Sequence, residues 1–187
     1  MKKIYLIFGV AGSGKGTQSN MIKSYFNLEH ISVGDLIRAE ESKNSKIGKL
    51  SKSLAEKGNF LPDNIVDELV LKNLENRKND IILDGYPRTI EQATTLKKFI
   101  SERGIECLLI NLECGYDDIK ERLAKRGRKD DKQEVIEHRI KLYEEKTLPV
   151  LCMFSDKIYI DANGTVSEVS NRIISAIKLY KYEHSRN

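Results

Sequence analysis

The sequence predicts an α/β fold, one parallel sheet with helices on both faces. Three observations carry this. Five short apolar runs rich in Ile, Leu and Val recur at residues 3–9, 29–33, 80–84, 106–113 and 157–161. They are near-continuous rather than alternating, as expected of strands buried on both faces. Stretches with helical periodicity separate them, so strand and helix alternate along the chain. The 187 residues, 40% of them apolar or aromatic, suffice for one core and would be cramped for two.

The elements follow in order. The first strand runs through a glycine-rich loop into a helix over residues 15–26. The second is followed by helices over 34–42, 45–56 and 63–76, the last capped by Asp63. These extra helices between two strands read as a small flap, not a second domain. The third strand leads to a helix over 89–103, closed by Gly104. The fourth leads to helices over 116–126 and 132–154, and the fifth to one over 167–180. Pro62, Pro87 and Pro149 are the prolines of the chain, and no repeat or low-complexity segment interrupts it.

Charge narrows the function classes. Lys and Arg outnumber Asp and Glu by 32 to 28, and the two signs are interspersed. That argues against a nucleic-acid stripe. No apolar run approaches the ~20 residues of a membrane span. Met1-Lys2-Lys3 followed by residues 4–10 has the outline of a minimal secretory leader. Cleavage there would remove the strand that supports the glycine loop, so a cytoplasmic location is expected. Cys107, Cys114 and Cys152 form neither a CxxC pair nor a zinc spacing, which fits a reducing compartment.

Residues 9–18 read Gly-Val-Ala-Gly-Ser-Gly-Lys-Gly-Thr-Gln, after a strand and at the start of a helix. This is the context of a phosphate-binding P-loop. Glycines let backbone N–H groups converge on a phosphate, the helix N-terminus adds positive potential, and Lys15 brings a cation to the β/γ-phosphates. The general pattern wants Ser or Thr directly after the lysine; here Gly16 intervenes and Thr17 follows.

With that shift, the segment resembles the nucleoside monophosphate kinases, the adenylate kinase branch above all. Ala11 stands where the family usually has proline. Further motifs follow in family order, from Met1 to about Lys178. Residues 31–38, Ile-Ser-Val-Gly-Asp-Leu-Ile-Arg, are close to the family's ISTGDLLR, with Val33 in place of threonine. Residues 84–92, Asp-Gly-Tyr-Pro-Arg-Thr-Ile-Glu-Gln, match its acceptor-side turn. Thr89 and Gln92 favour the adenylate branch over UMP/CMP kinases, which typically have GFPRN and Asn; Val33 is the main support for that alternative. Arg122, Arg126, Arg128 and Arg139 match four lid arginines, with Asp130 and Asp131 as the acid pair between the last two. The spacing from Arg126 to Arg128 is shorter than in short-lid relatives.

The resemblance implies a P-loop NTPase-like three-layer α/β/α fold with a five-stranded parallel sheet. The core would be residues 1–31, 61–126 and 132–187, with a helical flap for the acceptor monophosphate at 32–60 and a very short lid at 127–131. It implies the reaction Mg·ATP + AMP ⇌ 2 ADP. ATP would lie against Gly12, Ser13, Gly14, Lys15, Gly16, Thr17, Arg122, Arg126 and Gly164. AMP would meet Val33, Arg38, Asn59, Phe60, Leu61, Gly85, Tyr86, Pro87, Arg88, Gln92, Arg128 and Arg139. Lys15, Arg88, Arg122, Arg126, Arg128 and Arg139 would carry catalysis. Asp84, and more weakly Asp35, would hold Mg²⁺ through water. The long-form zinc lid is absent, so no structural zinc is expected, and a monomer without nucleic-acid or membrane partners is. Six of the ten arginines fall in this phosphate site, which accounts for the basic excess. A catalytically inactive nucleotide-binding regulator and a basic nucleic-acid module are the readings from other classes.

Overall fold

The computed structural model describes residues 3–75, 77–126 (side chains to 123) and 133–184. Its centre is a five-stranded, all-parallel sheet in the order β2-β3-β1-β4-β5. The strands are β1 (Lys3–Phe8), β2 (Glu29–Ser32), β3 (Ile81–Asp84), β4 (Glu106–Glu113) and β5 (Lys157–Asp161). All five apolar runs of the sequence are therefore strands, to within a residue at each end.

Alternation along β1 divides the core. Ile4, Leu6 and Phe8 point into one buried cluster, with Leu83, Val66, Val70, Leu96 and Phe99. Tyr5 and Ile7 point into the other, with Ile82, Ile110, Ile22, Ile173 and Ile177. Helices α4 (Asp63–Leu74) and α5 (Ile90–Glu102) cover the first face, and α1 (Lys15–Phe26) and α8 (Val166–His184) the second. A third, smaller cluster of Val10, Ile119, Leu123 and Ile136 joins the loop after β1 to α6 (Tyr116–Arg126) and α7 (Gln133–Leu142). The three layers expected from the sequence are present. Helices α2 (Val33–Ser42) and α3 (Lys46–Ala55) form the insertion before α4.

The Gly104 expectation holds, and three others change. Gly104 ends α5 in a left-handed conformation, with Ile105 N–H donating to Ile100 O across the end. Thr89 is the cap of α5 rather than its first residue, its Oγ1 accepting from Gln92 N–H. Asp63 does not cap α4. Pro62 holds that position, and the Asp63 carboxylate turns to α5 instead.

The helix expected over 132–154 is not continuous. Its described part is α7, then a π-helical turn at Tyr143–Thr147 and a 3₁₀ segment at Leu148–Met153. Pro149 has no N–H to give and crowds the carbonyl four residues back, so a regular ladder cannot pass it. The wide turn lets Thr147 Oγ1 donate to Arg88 O (2.9 Å) and Tyr143 OH to Asn111 Oδ1 (3.2 Å). Such turns concentrate near functional sites. No described helix is long and apolar enough to cross a membrane.

Candidate active site

The site lies at the C-terminal edge of β1 and β3. Strand order reverses at β1, and ligands of open α/β sheets bind at such a switch point. The register pairs Ile7 with Asp84, which sets that carboxylate beside the loop leaving β1.

The loop has the backbone a phosphate cradle needs. Gly12 and Gly14 sit at φ 88° and 92°, a region that side chains disfavour. A Cβ on Gly12 would also meet Leu123 and Ile119 at 3.0–3.1 Å. Ser13 is buried, and Gly16 and Thr17 open α1 on its exposed side. Lys15 folds back over the loop, its Nζ donating to Gly9 O (2.6 Å) and Val10 O (2.9 Å). Arg122, on α6, reaches the same region. Its Nη2 donates to Ala162 O (2.9 Å), and Nη1 lies 4.0 Å from where a Gly14 Cβ would stand. That carbonyl lies two residues before Gly164, so Arg122 spans the phosphate loop and the turn expected from the sequence to contact ATP.

On the acceptor side, one cleft is lined by Lys15, Arg88 and Arg139 together with Phe60, Gly85, Tyr86 and Pro87. Arg88 is held on several sides. Its Nε donates to Gly85 O (2.9 Å), and the guanidinium lies over the Phe60 ring at 5.0 Å. Burial lowers its pKa; Asp84 opposes this and Arg139 adds to it. Three cations facing one cavity are costly without an anion between them, so the arrangement suits polyphosphate. Gly85, at φ 85°, also leaves room for Arg88: a Cβ there would lie 3.1 Å from Nη2.

Asp84 fits a hydrated divalent cation. It is half-buried at a strand end, its Oδ2 3.6 Å from where a Gly16 Cβ would stand, at the mouth of the phosphate loop. Mg²⁺ takes one or two carboxylates with phosphate and water oxygens, the donor set available here. His30 Nε2 is 3.9 Å away, and burial lowers its pKa while Asp84 opposes the shift, which favours a neutral ring beneath the carboxylate. Asp35 is placed differently. Its carboxylate pairs with Arg38 (2.5 Å). Burial pushes its pKa up, but hydrogen bonds from Arg38 and Ser32 outweigh this and leave it lowered. Among the described residues, no group of three His, Cys, Asp or Glu is placed to hold a metal ion by itself.

The remaining assigned residues divide. Val33 and Leu61 are core residues, 2% and 7% exposed. Tyr86 is buried, its OH donating to Asp67 Oδ1 (2.6 Å). Gln92, 2% exposed, has both ends of its amide engaged, with Arg88 N–H donating to Oε1 and Nε2 donating to Asp63. Arg128, Asp130, Asp131 and the whole stretch 127–131 lie outside the described residues. Arg126 is described only by its place in α6.

Two participants were not legible in the sequence. His138 Nε2 lies 2.9 Å from Asn59 Oδ1, and its ring packs against Gly58. This docks the loop 58–60 onto the helix that carries Arg139. The two partners are 79 residues apart, so no local pattern marks the pair. Asp63, read as a cap, proves to be a partner of Gln92.

A phosphate loop at the switch point of a parallel sheet, facing a strand-end carboxylate and converging cations, defines a P-loop nucleotide phosphotransferase. Comparison with known proteins makes this particular. Residues 7–159 match the family model described as adenylate kinase. The chain is 37% identical over 186 residues to an adenylate kinase of Parabacteroides distasonis, covering 94% of this chain and 98% of that protein. It is likewise 37% identical over 185 residues to one of Prochlorococcus marinus, covering 96% and 99%. The chain belongs to the adenylate kinase family.

Proposed function

We propose that the chain transfers the γ-phosphoryl group of ATP to AMP, giving two ADP, and so balances the adenine nucleotides. The convergence of Lys15, Arg88 and Arg139 on one cleft beside the phosphate loop carries this reading. A hydrolase needs a placed water; a kinase needs a second anion opposite the first, and Arg88 and Arg139 supply its charge partners.

The donor triphosphate lies along residues 9–14, with the backbone N–H groups and the α1 N-terminus on its oxygens. Lys15 exchanges the Gly9 and Val10 carbonyls for the β/γ-phosphates. Arg122 approaches from α6, the family resemblance adds Arg126 of the same helix, and Gly164 backs the donor adenine. Arg38 and Arg88 hold the acceptor phosphate through guanidinium forks. Arg139 faces the charge that moves between donor and acceptor, and the family resemblance adds Arg128 to the same role. Asn59 and Phe60 line the acceptor entrance, and Gln92 reads the adenine edge.

The acceptor phosphate oxygen attacks the γ-phosphorus in line, and ADP leaves. Charge spreads over the equatorial oxygens, so positioning and electrostatic stabilisation suffice without a covalent nucleophile. Asp84 would hold Mg²⁺ through water, and the ion would supply neutralisation of the charge on the donor phosphates. We assign the core to 1–31, 61–126 and 132–187, the acceptor flap to 32–60 and a short lid to 127–131. A cytoplasmic monomer completes the proposal.

A coupled assay across AMP, GMP, CMP and UMP with ATP as donor tests it. AMP is expected to give the highest kcat/KM. A pyrimidine monophosphate in first place would overturn the acceptor assignment.

A further inference from the structure

A primary amide presents a donor and an acceptor side by side, and a half-turn of its terminal torsion exchanges them with little steric cost. Adenine and hypoxanthine differ by the same exchange. Adenine donates from its 6-amino group and accepts at N1; hypoxanthine accepts at O6 and donates from N1. A glutamine free to turn would therefore accommodate both.

In this chain the Gln92 amide is pinned at both ends. Arg88 N–H donates to Oε1 at 2.7 Å, and Nε2 donates to Asp63 Oδ1 at 2.7 Å. A backbone N–H can only donate and a carboxylate can only accept. Turning the amide would set Nε2 against the N–H and Oε1 against the carboxylate, breaking two hydrogen bonds in a side chain 2% exposed. Asp63 is itself positioned by Thr89, whose hydroxyl donates to Oδ2 at 2.9 Å. Each end of the amide keeps one further hydrogen or lone pair for a base.

We propose that Asp63 is a specificity-determining positioning residue: by holding Gln92 in one orientation, it makes the acceptor site select 6-amino over 6-oxo purine monophosphates. This rests on the ATP:AMP phosphotransferase reading above. Asp63 acts through Gln92 and does not touch the nucleotide.

The test is kcat/KM for AMP and IMP, at saturating ATP, in the wild type, Asp63→Asn and Gln92→Ala. Asparagine is isosteric, and its own amide adapts to either orientation of Gln92, leaving the Arg88 N–H as the remaining pin. The AMP/IMP ratio is expected to fall about tenfold, with the efficiency for IMP rising. A purely structural role would lower both nucleotides alike. An unchanged ratio, or equal losses, overturns the role of Asp63. Asp63→Ala removes the acceptor facing Nε2 and is read in the same way should the asparagine variant not fold. A Gln92→Ala ratio equal to wild type shows that Gln92 does not read the base, which overturns the proposal while AMP turnover stands. Absence of AMP turnover in the wild type sinks the phosphotransferase reading itself.

Discussion

The two arginines assigned to the acceptor phosphate sit in opposite surroundings. The turn from β3 into α5 grips Arg88: Gly85 O takes its Nε, the Phe60 ring backs its guanidinium, and Thr147 donates to its carbonyl. On α2, the Arg38 side chain is 47% exposed and tied to Asp35 one turn earlier. One cation is preorganised by the core, and the other has to exchange a carboxylate for a phosphate. On the proposed assignment, the fixed group would act when charge moves in the transition state, where preorganisation counts most. The exchangeable one would contribute chiefly to capture.

The sharpest way to break this comparison is to truncate each in turn. Arg88→Ala is expected to lower kcat/KM for AMP by about 10³-fold, on the order of 4 kcal/mol, with much of the loss in kcat. Arg38→Ala is expected to cost about tenfold, nearly all as a higher KM for AMP. Steady-state kinetics with both nucleotides varied would check this, and equal losses in kcat would erase the distinction. A smaller effect concerns the loop that brings Phe60 to Arg88. His138→Ala removes its hydrogen bond to Asn59, and KM for AMP is expected to rise about threefold while KM for ATP holds. A matching rise in both would show that the contact supports α7 generally.

The smallest effect is on stability. Burial lowers the pKa of His30 below its ordinary 6.5, although Asp84 opposes the shift. The unfolded chain then binds a proton that the folded one refuses. Stability is fully present above about pH 6.5 and falls as pH drops toward the lowered value, by at most about 1.4 kcal/mol per pH unit. Denaturant melts between pH 5 and 7 should show this slope, and His30→Gln should flatten it. An Arg38→Ala variant should keep the slope, because the exposed flap arginine contributes nothing to it.

Legibility in the sequence followed the range of each contact. The phosphate loop is contiguous, and its glycines, lysine and following helix are all local, so residues 9–18 could be read directly. Strands buried on both faces announced themselves by composition, and Gly104 closed its helix as expected. What could not be read depends on partners far along the chain. Asp63 has the sequence context of a helix cap, and only tertiary packing delivers its carboxylate to Gln92, 29 residues away. The break in the helix after Leu142 follows from Pro149, but its π form serves contacts from Thr147 and Tyr143 to other elements. Asp35 matches a family acid near the metal, and its pairing with Arg38 one turn on is a side-chain placement that the motif does not give.

The central claim is that the cleft between the phosphate loop and Arg88 passes a phosphoryl group from one nucleotide to another. Incubating the enzyme with Mg²⁺, AMP and ATP labelled at the γ-phosphate tests it most directly. The label is expected in the β-phosphate of ADP, at a rate that collapses in Arg88→Ala. Label released as inorganic phosphate, with AMP unchanged, would contradict the account.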